Sequence, residues 1–411
     1  MGINIERIQK DIETLAQFTA TPGAGVTRLP FTPEDRKARE YIKGQMLAVG
    51  LKVREDGVGT IIGRMEGAAS DAPAILIGSH YDSVRNGGAF DGVAGLAAAL
   101  EATRALREET AKLCCPVEVL AMNDEEGVRF GTGMMSSRAI TGELPDEELD
   151  MTEDENHVTV RQAMQDFGIE PELQKALRNP KEIKAFLELH IEQGPLLEAE
   201  GTEIGIVESI VGLAVYKVTI KGRAGHAGTT PMHLRADALL AASEAIFAVN
   251  QAASGINRDM VATVGKLQVL PNAANVIPGT VEFTIDARSS NEADIEQIYD
   301  KAAAILKQLE AKHGVSTQIS NTFWCRPVSL SKRITDAITN EASTLGYSYK
   351  SMNSGAGHDS MVMANHTDTG MIFVPSKNGI SHTPEEWTDY QDLQKGAEVL
   401  LNTVIRLGME R

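Results

Sequence analysis

Apolar residues return along this chain in two rhythms. Near the amino terminus Ile5, Ile8, Ile12 and Leu15 recur every three or four positions, the stripe of an amphipathic helix. A loop with Gly23, Gly25 and Arg28 follows. Thr32 then caps a second predicted helix, with Pro33 at its first position and Glu34 and Asp35 in its first turn, and Gly50 ends it. Strands are predicted at 51–54 and 60–65, joined by an Asp56-Gly57 turn. The continuous apolar run 74–77, bounded by Gly78-Ser79, reads as a buried strand, and the Ala- and Leu-rich segment after Gly92 as a helix. Further buried strands are expected at 117–122 and 185–189. By contrast, the acidic run 145–156 (PDEELDMTEDEN) has no apolar partner strand and is expected to be a solvated loop.

From Gly212 the pattern changes. Ala214, Tyr216, Val218 and Ile220 alternate along a strand, a helix covers about 235–250, and strands follow at 261–270 and 280–287. A second helix carries Ile295, Ile298, Ala302, Ile305 and Leu309 on one face, and a last strand covers about 315–323. This strand-helix-strand-strand-helix-strand order is the ferredoxin-like pattern. The remainder supplies a helix near 334–345, a loop reading SGAGHDS, a strand at 371–374, a loop with His382, and a final helix near 392–407. The chain is therefore expected to be α/β, with 1–211 and 328–411 forming one discontinuous domain. The inserted α+β domain, 212–327, would act as a lid or dimerisation element.

Composition narrows the function. The 411 residues allow two or three domains, and a formal net charge of −18 argues against nucleic acid, whose phosphates demand surplus Lys and Arg. Cys114, Cys115 and Cys325 make no disulfide framework and suit reduced thiols. The amino terminus lacks an apolar signal core, and no apolar run approaches the ~20 residues that span a bilayer. A cytoplasmic location is expected.

Chemistry is concentrated where apolar strands end. The first delivers His80 and Asp82, with Gly87-Gly88 turning the chain so that Asp91 returns towards them. The strand at 117–122 runs directly into Asn123-Asp124-Glu125-Glu126, acids that are costly at a core strand end unless something positive sits among them. The strand at 185–189 delivers His190, followed by Glu192 and Gln193. With His382, the set His80, Asp91, Glu126, His190 and His382 offers three imidazoles and two carboxylates. Such nitrogen and oxygen donors suit Zn²⁺, Mn²⁺, Co²⁺ or Ni²⁺. Five ligands exceed one tetrahedral site and fit two ions sharing a carboxylate.

The motifs GSHYDSVRNGGAFDG, NDEEGVRF, ELHIEQGPLLE, GRAGHAGTTPMHLRADA, NAANVIPG, DARSS, SGAGHDS and GISHTPEEW occur in one fixed order over nearly the whole chain. In this the sequence resembles the hydantoinase/carbamoylase branch of the metal-dependent aminoacylase and carboxypeptidase superfamily. That branch includes N-carbamoyl-L-amino acid hydrolases, β-ureidopropionases and allantoate amidohydrolases. The resemblance implies a metallopeptidase-like catalytic domain with a central mixed sheet. It makes His80 and His190 ligands of one ion, Glu126 and His382 ligands of the other, and Asp91 the bridge. Asp82 would orient His80 through an imidazole hydrogen bond, and Glu125 would be the general base. Arg288 matches the binder of the substrate carboxylate, although it could equally be a salt-bridged surface residue. His226 matches the donor to the tetrahedral oxyanion and Asn275 another substrate contact, while Gln193 and His358 would approach the substrate. A homodimer paired through the inserted domain is implied too, with a lid side chain entering the neighbour's site.

The implied reaction is hydrolysis of an N-carbamoyl-L-amino acid to amino acid, carbon dioxide and ammonia. Allantoate and β-ureidopropionate are the alternative substrates. VRFGTGMMSSRAITGELP and IVGLAVYKVTI look more like the carbamoylases. A metal-binding protein without catalysis would be expected to lack the base, and Glu125 is present. A dipeptidase fits worse, because His190 stands where many peptidase relatives place a carboxylate.

Overall fold

The computed structural model describes residues 2–109 and 112–410, and the chain divides into two compact units. One comprises Met1–Glu208 with Ser329–Arg411, the other Ser209–Val328.

The first unit is built on a mixed sheet whose strands are β1 (Lys52–Glu55), β2 (Ile61–Met65), β3 (Ala74–His80), β4 (Val117–Met122), β5 (Ile183–Ile191), β6 (Ile204–Ile210), β7 (Tyr349–Ser354) and β8 (Thr369–Val374). Their order is β1-β2-β4-β3-β5-β8-β6, with β7 also paired to β6 and a ninth, two-residue strand, Val328–Ser329, following β6. The four central strands β4, β3, β5 and β8 run parallel, with His80 opposite Met122 and Phe373 opposite His190. Every residue of β3, β4 and β8 is buried, as continuous apolar runs demand of strands covered on both faces. The helix Val93–Glu108 is buried from Val93 to Leu106, which explains its alanine-rich composition: small side chains let it lie close to the sheet. Ile8, Ile12 and Leu15 of the first helix join this core, as do Leu400, Val404 and Leu407 of the last, Tyr390–Met409. Thr32 caps the helix Pro33–Ala48, its side chain accepting from Asp35 N.

Three features of this unit depart from the sequence-based expectation. Two strands, β6 and β7, were not anticipated; β7 (YKSMNS) is polar and short of apolar alternation. The acidic run 145–156 is not simply solvated. It contains the short helix Glu148–Met151, whose Leu149 is buried with Phe31, Val58, Phe130 and Phe167. Its acids are matched by arginines, Glu148 by Arg138 and Asp146 and Asp150 by Arg161. Finally, neither Gly87 nor Gly88 has a left-handed backbone. Gly88 is required instead by close approach, because a Cβ there would lie 2.2 Å from Glu386 Oε1.

The second unit carries a four-stranded antiparallel sheet in the order Ser316–Cys325, Gly212–Lys221, Thr280–Ser289, Val261–Leu270. Numbered along the chain this is 4-1-3-2, the ferredoxin-like arrangement. The helices Ala238–Ser254 and Glu292–His313 cover one face, where Tyr216, Val218, Ile220, Val281, Phe283 and Ile285 form the core. The edge strand Val261–Leu270 is exposed or half-buried along its whole length.

Candidate metal centre

The candidate ligands gather at the carboxyl ends of the four parallel strands, where open α/β sheets place their ligands. His80 ends β3 and His190 lies in the last turn of pleat of β5; they are 2% and 1% exposed. Their Nε2 atoms are 3.4 Å apart and their rings stack at 5.6 Å. Asp91 comes from the loop ahead of the helix Val93–Glu108, and its Oδ1 lies 3.7 Å from His80 Nε2 and 3.2 Å from His190 Nε2. Its other oxygen, Oδ2, faces His382 Nε2 at 3.1 Å, and His382 Nε2 is in turn 3.7 Å from Glu126 Oε1. His80, Asp91 and His190 thus make one cluster and Asp91, Glu126 and His382 a second, with ligand atoms inside 4.8 Å of one another in each. A third grouping, His80 with Glu125 and Glu126, links the two.

The donor set fits two divalent cations. Asp91 Oδ1 and Glu126 Oε1 are buried without a sound hydrogen bond among the described residues, and such orphaned carboxylate oxygens are costly. Protonation tells the same story. Burial should raise Asp91, but the imidazoles of His190, His382 and His80 that face it outweigh burial and hold this carboxyl well below its ordinary range. Against its own burial His80 is raised well above an ordinary histidine, chiefly by Glu125 and Asp91, and His382 is pushed up to about 9 by Asp91. The carboxylates call for positive charge, and divalent ions would displace the protons that answer.

Glu125 lies beside this cluster, its Oε2 3.9 Å from His80 Nε2. Burial first, then the neighbouring Glu126 among other acids, raises its carboxyl well above the usual range; Glu126 itself is raised to about 7 by burial and Asp91. The Glu125–Glu126 turn is held from below by Asp82, whose Oδ1 accepts from Glu125 N at 3.1 Å and Oδ2 from Glu126 N at 3.2 Å. This differs from the expected role of Asp82. Its carboxylate is 3.7 Å from His80 Nδ1, beyond hydrogen-bonding range, and the backbone carbonyl of Asp82 is the nearer partner of that nitrogen at 3.2 Å.

The turn carrying His80 and Asp82 is anchored through the residue between them. Tyr81 O accepts from Nε of the buried Arg28 at 2.6 Å, and Arg28 Nη1 also donates to Leu15 O and Phe18 O. The Tyr81 hydroxyl donates to Asp35 and accepts from Arg39. Gly92 has φ 64°, and a Cβ on it would lie 2.4 Å from the His80 ring, so glycine is required where the chain turns against that imidazole.

Among the other expected site residues, Gln193 donates from Nε2 to Asp91 Oδ2 at 2.9 Å, while its Oε1 is buried and unpartnered among the described residues. His358 is buried against His190 with ring centroids 4.4 Å apart; burial and His190 hold its pKa well below that of an ordinary histidine. His226, Asn275 and Arg288 belong to the second unit. Gly228 N and Thr229 N both donate to His226 Nδ1, which leaves the imidazole proton on Nε2. His226 pairs with Val276 in a short antiparallel ribbon, next to Asn275. Arg288 forms a two-pronged pair with Asp286 at 2.9 and 3.1 Å, the salt-bridged alternative open at the sequence level. Sequence reasoning passed over Glu386, which is 3% exposed and hydrogen-bonds into the loops of Asp91 and His382. Its signal was its place in GISHTPEEW, four residues after a candidate ligand.

Residues 76–406 match the model of peptidase family M20/M25/M40. The chain is 49% identical over 400 residues to the N-carbamoyl-L-amino-acid amidohydrolase of Paenarthrobacter aurescens, covering 97% of each sequence. It is 40% identical over 403 residues to the enzyme of the same name from Geobacillus stearothermophilus, covering 98% of each. A solved hydantoinase/carbamoylase family amidase from Burkholderia multivorans superposes with a TM-score of 0.95 at 34% identity, over 100% of this chain and 99% of that one. The chain therefore belongs to the hydantoinase/carbamoylase family of the M20 peptidase superfamily.

Proposed function

We propose that this protein is a metal-dependent amidohydrolase that cleaves the carbamoyl C–N bond of N-carbamoyl-L-amino acids. The observation that carries the reading is the convergence of His80 and His190 on one oxygen of Asp91, and of His382, near Glu126, on the other, with Glu125 alongside. His80 and His190 would hold one ion, Glu126 and His382 the other, and Asp91 both. Bound there, divalent cations polarise a carbonyl and acidify water. Glu125, with its affinity for protons raised, accepts the proton of the attacking water and returns it to the leaving nitrogen. Asp82 keeps that carboxylate in place through the two backbone N–H groups it holds. One water consumed yields the amino acid and carbamate, which breaks down to carbon dioxide and ammonia.

His226 is suited to the oxyanion because its Nε2 proton is free of the bonds made at Nδ1. Arg288 would exchange Asp286 for the substrate carboxylate, a match of guanidinium fork to carboxylate. Asn275, Gln193 and His358 complete the substrate contacts in this reading; the orphaned Gln193 Oε1 is an acceptor for a ureido N–H. The second unit would serve as lid and as the seat of a homodimer. Support comes from its exposed edge strand and from Leu240, Phe247, Leu267 and Leu270, apolar side chains left in water. Among the described residues no helix is long and apolar enough to cross a membrane, and the neighbouring Cys114 and Cys115 carry no disulfide, which suits a cytoplasmic enzyme.

Ammonia release from a panel of N-carbamoyl-L-amino acids, β-ureidopropionate and allantoate, with Mn²⁺, Co²⁺ or Zn²⁺ added, tests the reading. The N-carbamoyl-L-amino acids should give the highest kcat/KM. A higher value on allantoate would move the assignment to the allantoate amidohydrolases, and no release from any substrate would remove it.

A further inference from the structure

We propose that Glu386 is a positioning residue, a carboxylate clamp that fixes the bridging Asp91 and His382 in one frame and so sets the affinity of the cation they share with Glu126. The inference rests on the two-cation reading above. Glu386 is 3% exposed, and among the described residues its side-chain hydrogen bonds run to the two ligand loops. Oε1 accepts from Phe90 N and Asp91 N, both at 3.0 Å. Oε2 accepts from Ser381 Oγ at 2.6 Å and from His382 N at 3.4 Å. With both oxygens committed to these donors, Glu386 joins none of the donor clusters found among the described residues. It acts through other groups.

The need for such a clamp follows from where the ligands sit. His80 and His190 belong to strands and are held by the sheet ladder. His382 lies on a loop, its side chain 50% exposed, with a left-handed backbone (φ 60°) that a non-glycine residue keeps only where its surroundings insist. Its partner Asp91 lies on a different loop, 295 positions from Glu386. The same seam is closed by an apolar contact, Phe90 packing edge-on against Trp387 with centroids 5.1 Å apart. Gly88 records the fit: the carboxylate occupies the space its side chain would take.

Glu386→Gln replaces two acceptor oxygens by one acceptor and one donor. Whichever way the amide turns, it faces an N–H group with its own NH₂ on one loop. His80 and His190 make no contact with it. The variant should therefore retain one Mn²⁺ or Zn²⁺ per chain in equilibrium dialysis, and its affinity for the second should fall by about 10- to 100-fold. The visible absorption of the Co²⁺-loaded protein should lose one of two contributions. Gly88→Ala, which displaces the carboxylate from the other side, should reproduce the loss and decides the matter if Glu386→Gln does not fold. Two ions bound by folded Glu386→Gln or Gly88→Ala with wild-type affinity would overturn the clamp. His382→Ala separates the two ideas. If it still binds two ions, the two-cation reading itself fails; if it loses one while Glu386→Gln keeps both, only the clamp is wrong.

Discussion

The two halves of the metal centre are built by different means. The inner half, His80 and His190, is made of side chains at the ends of adjacent parallel strands, almost wholly buried and fixed by the same ladder that fixes the core. The outer half, Glu126 and His382, is made of loop residues, one of them half in solvent. Only Asp91 belongs to both. Regular structure sets the inner geometry at no added cost, whereas the outer geometry depends on particular backbone N–H groups, of Glu126 and His382, donating to the carboxylates of Asp82 and Glu386.

That contrast can be broken at several points. The largest expected effect leaves both halves intact: Glu125→Gln should bind two ions as wild type does while kcat falls by about 10³-fold, within the range for losing a general acid–base. Elemental analysis beside a turnover assay checks both parts. Next come the ligands. His190→Ala should weaken metal binding by more than about 100-fold, beyond what loss of a supporting residue does, and His382→Ala should spare the inner ion. Titrations followed by dialysis distinguish them. A smaller effect is the pH dependence of the outer half. The pKa of His382 is raised to about 9, so in the metal-free protein its proton contributes stability fully below about pH 6.5, its ordinary value, and that contribution is lost as pH rises through about 9. Metal binding runs the opposite way: below about pH 9 the affinity of the outer ion should fall by up to about tenfold per pH unit, as protons compete for His382. Isothermal titration between the two values reads the slope. The smallest is Asp82→Asn, expected to lower kcat by about tenfold with both ions retained, the lower end of what supporting hydrogen bonds contribute.

The inner half was legible in the sequence for the reason that makes it rigid. An apolar run ending in a metal-ligand type of residue is a local pattern, and three such runs at strand ends, two delivering a histidine and one a pair of glutamates, announce a shared pocket before any contact is known. The inserted unit was legible likewise, because alternation and helical spacing each depend on near neighbours. Glu386 was not. Its meaning lies in N–H groups 295 and 296 positions away, and its place four residues after His382 marks it only as a neighbour of a candidate ligand, not as a buried clamp. The run 145–156 misled for a related reason: one leucine among acids looks incidental until Phe31 and Phe130 arrive from distant segments to cover it. Asp82 falls between these cases. Proximity to His80 was evident from spacing, yet the groups its carboxylate holds come from the end of another strand.

Arg28 has a practical consequence. A guanidinium that grips three carbonyls, one of them between His80 and Asp82, makes this stretch rigid by protein contacts alone. Treatment with a chelator should leave a chain that keeps its circular dichroism and melts cooperatively. Refilling it with a different ion would then compare ions on one scaffold, with no refolding step in between.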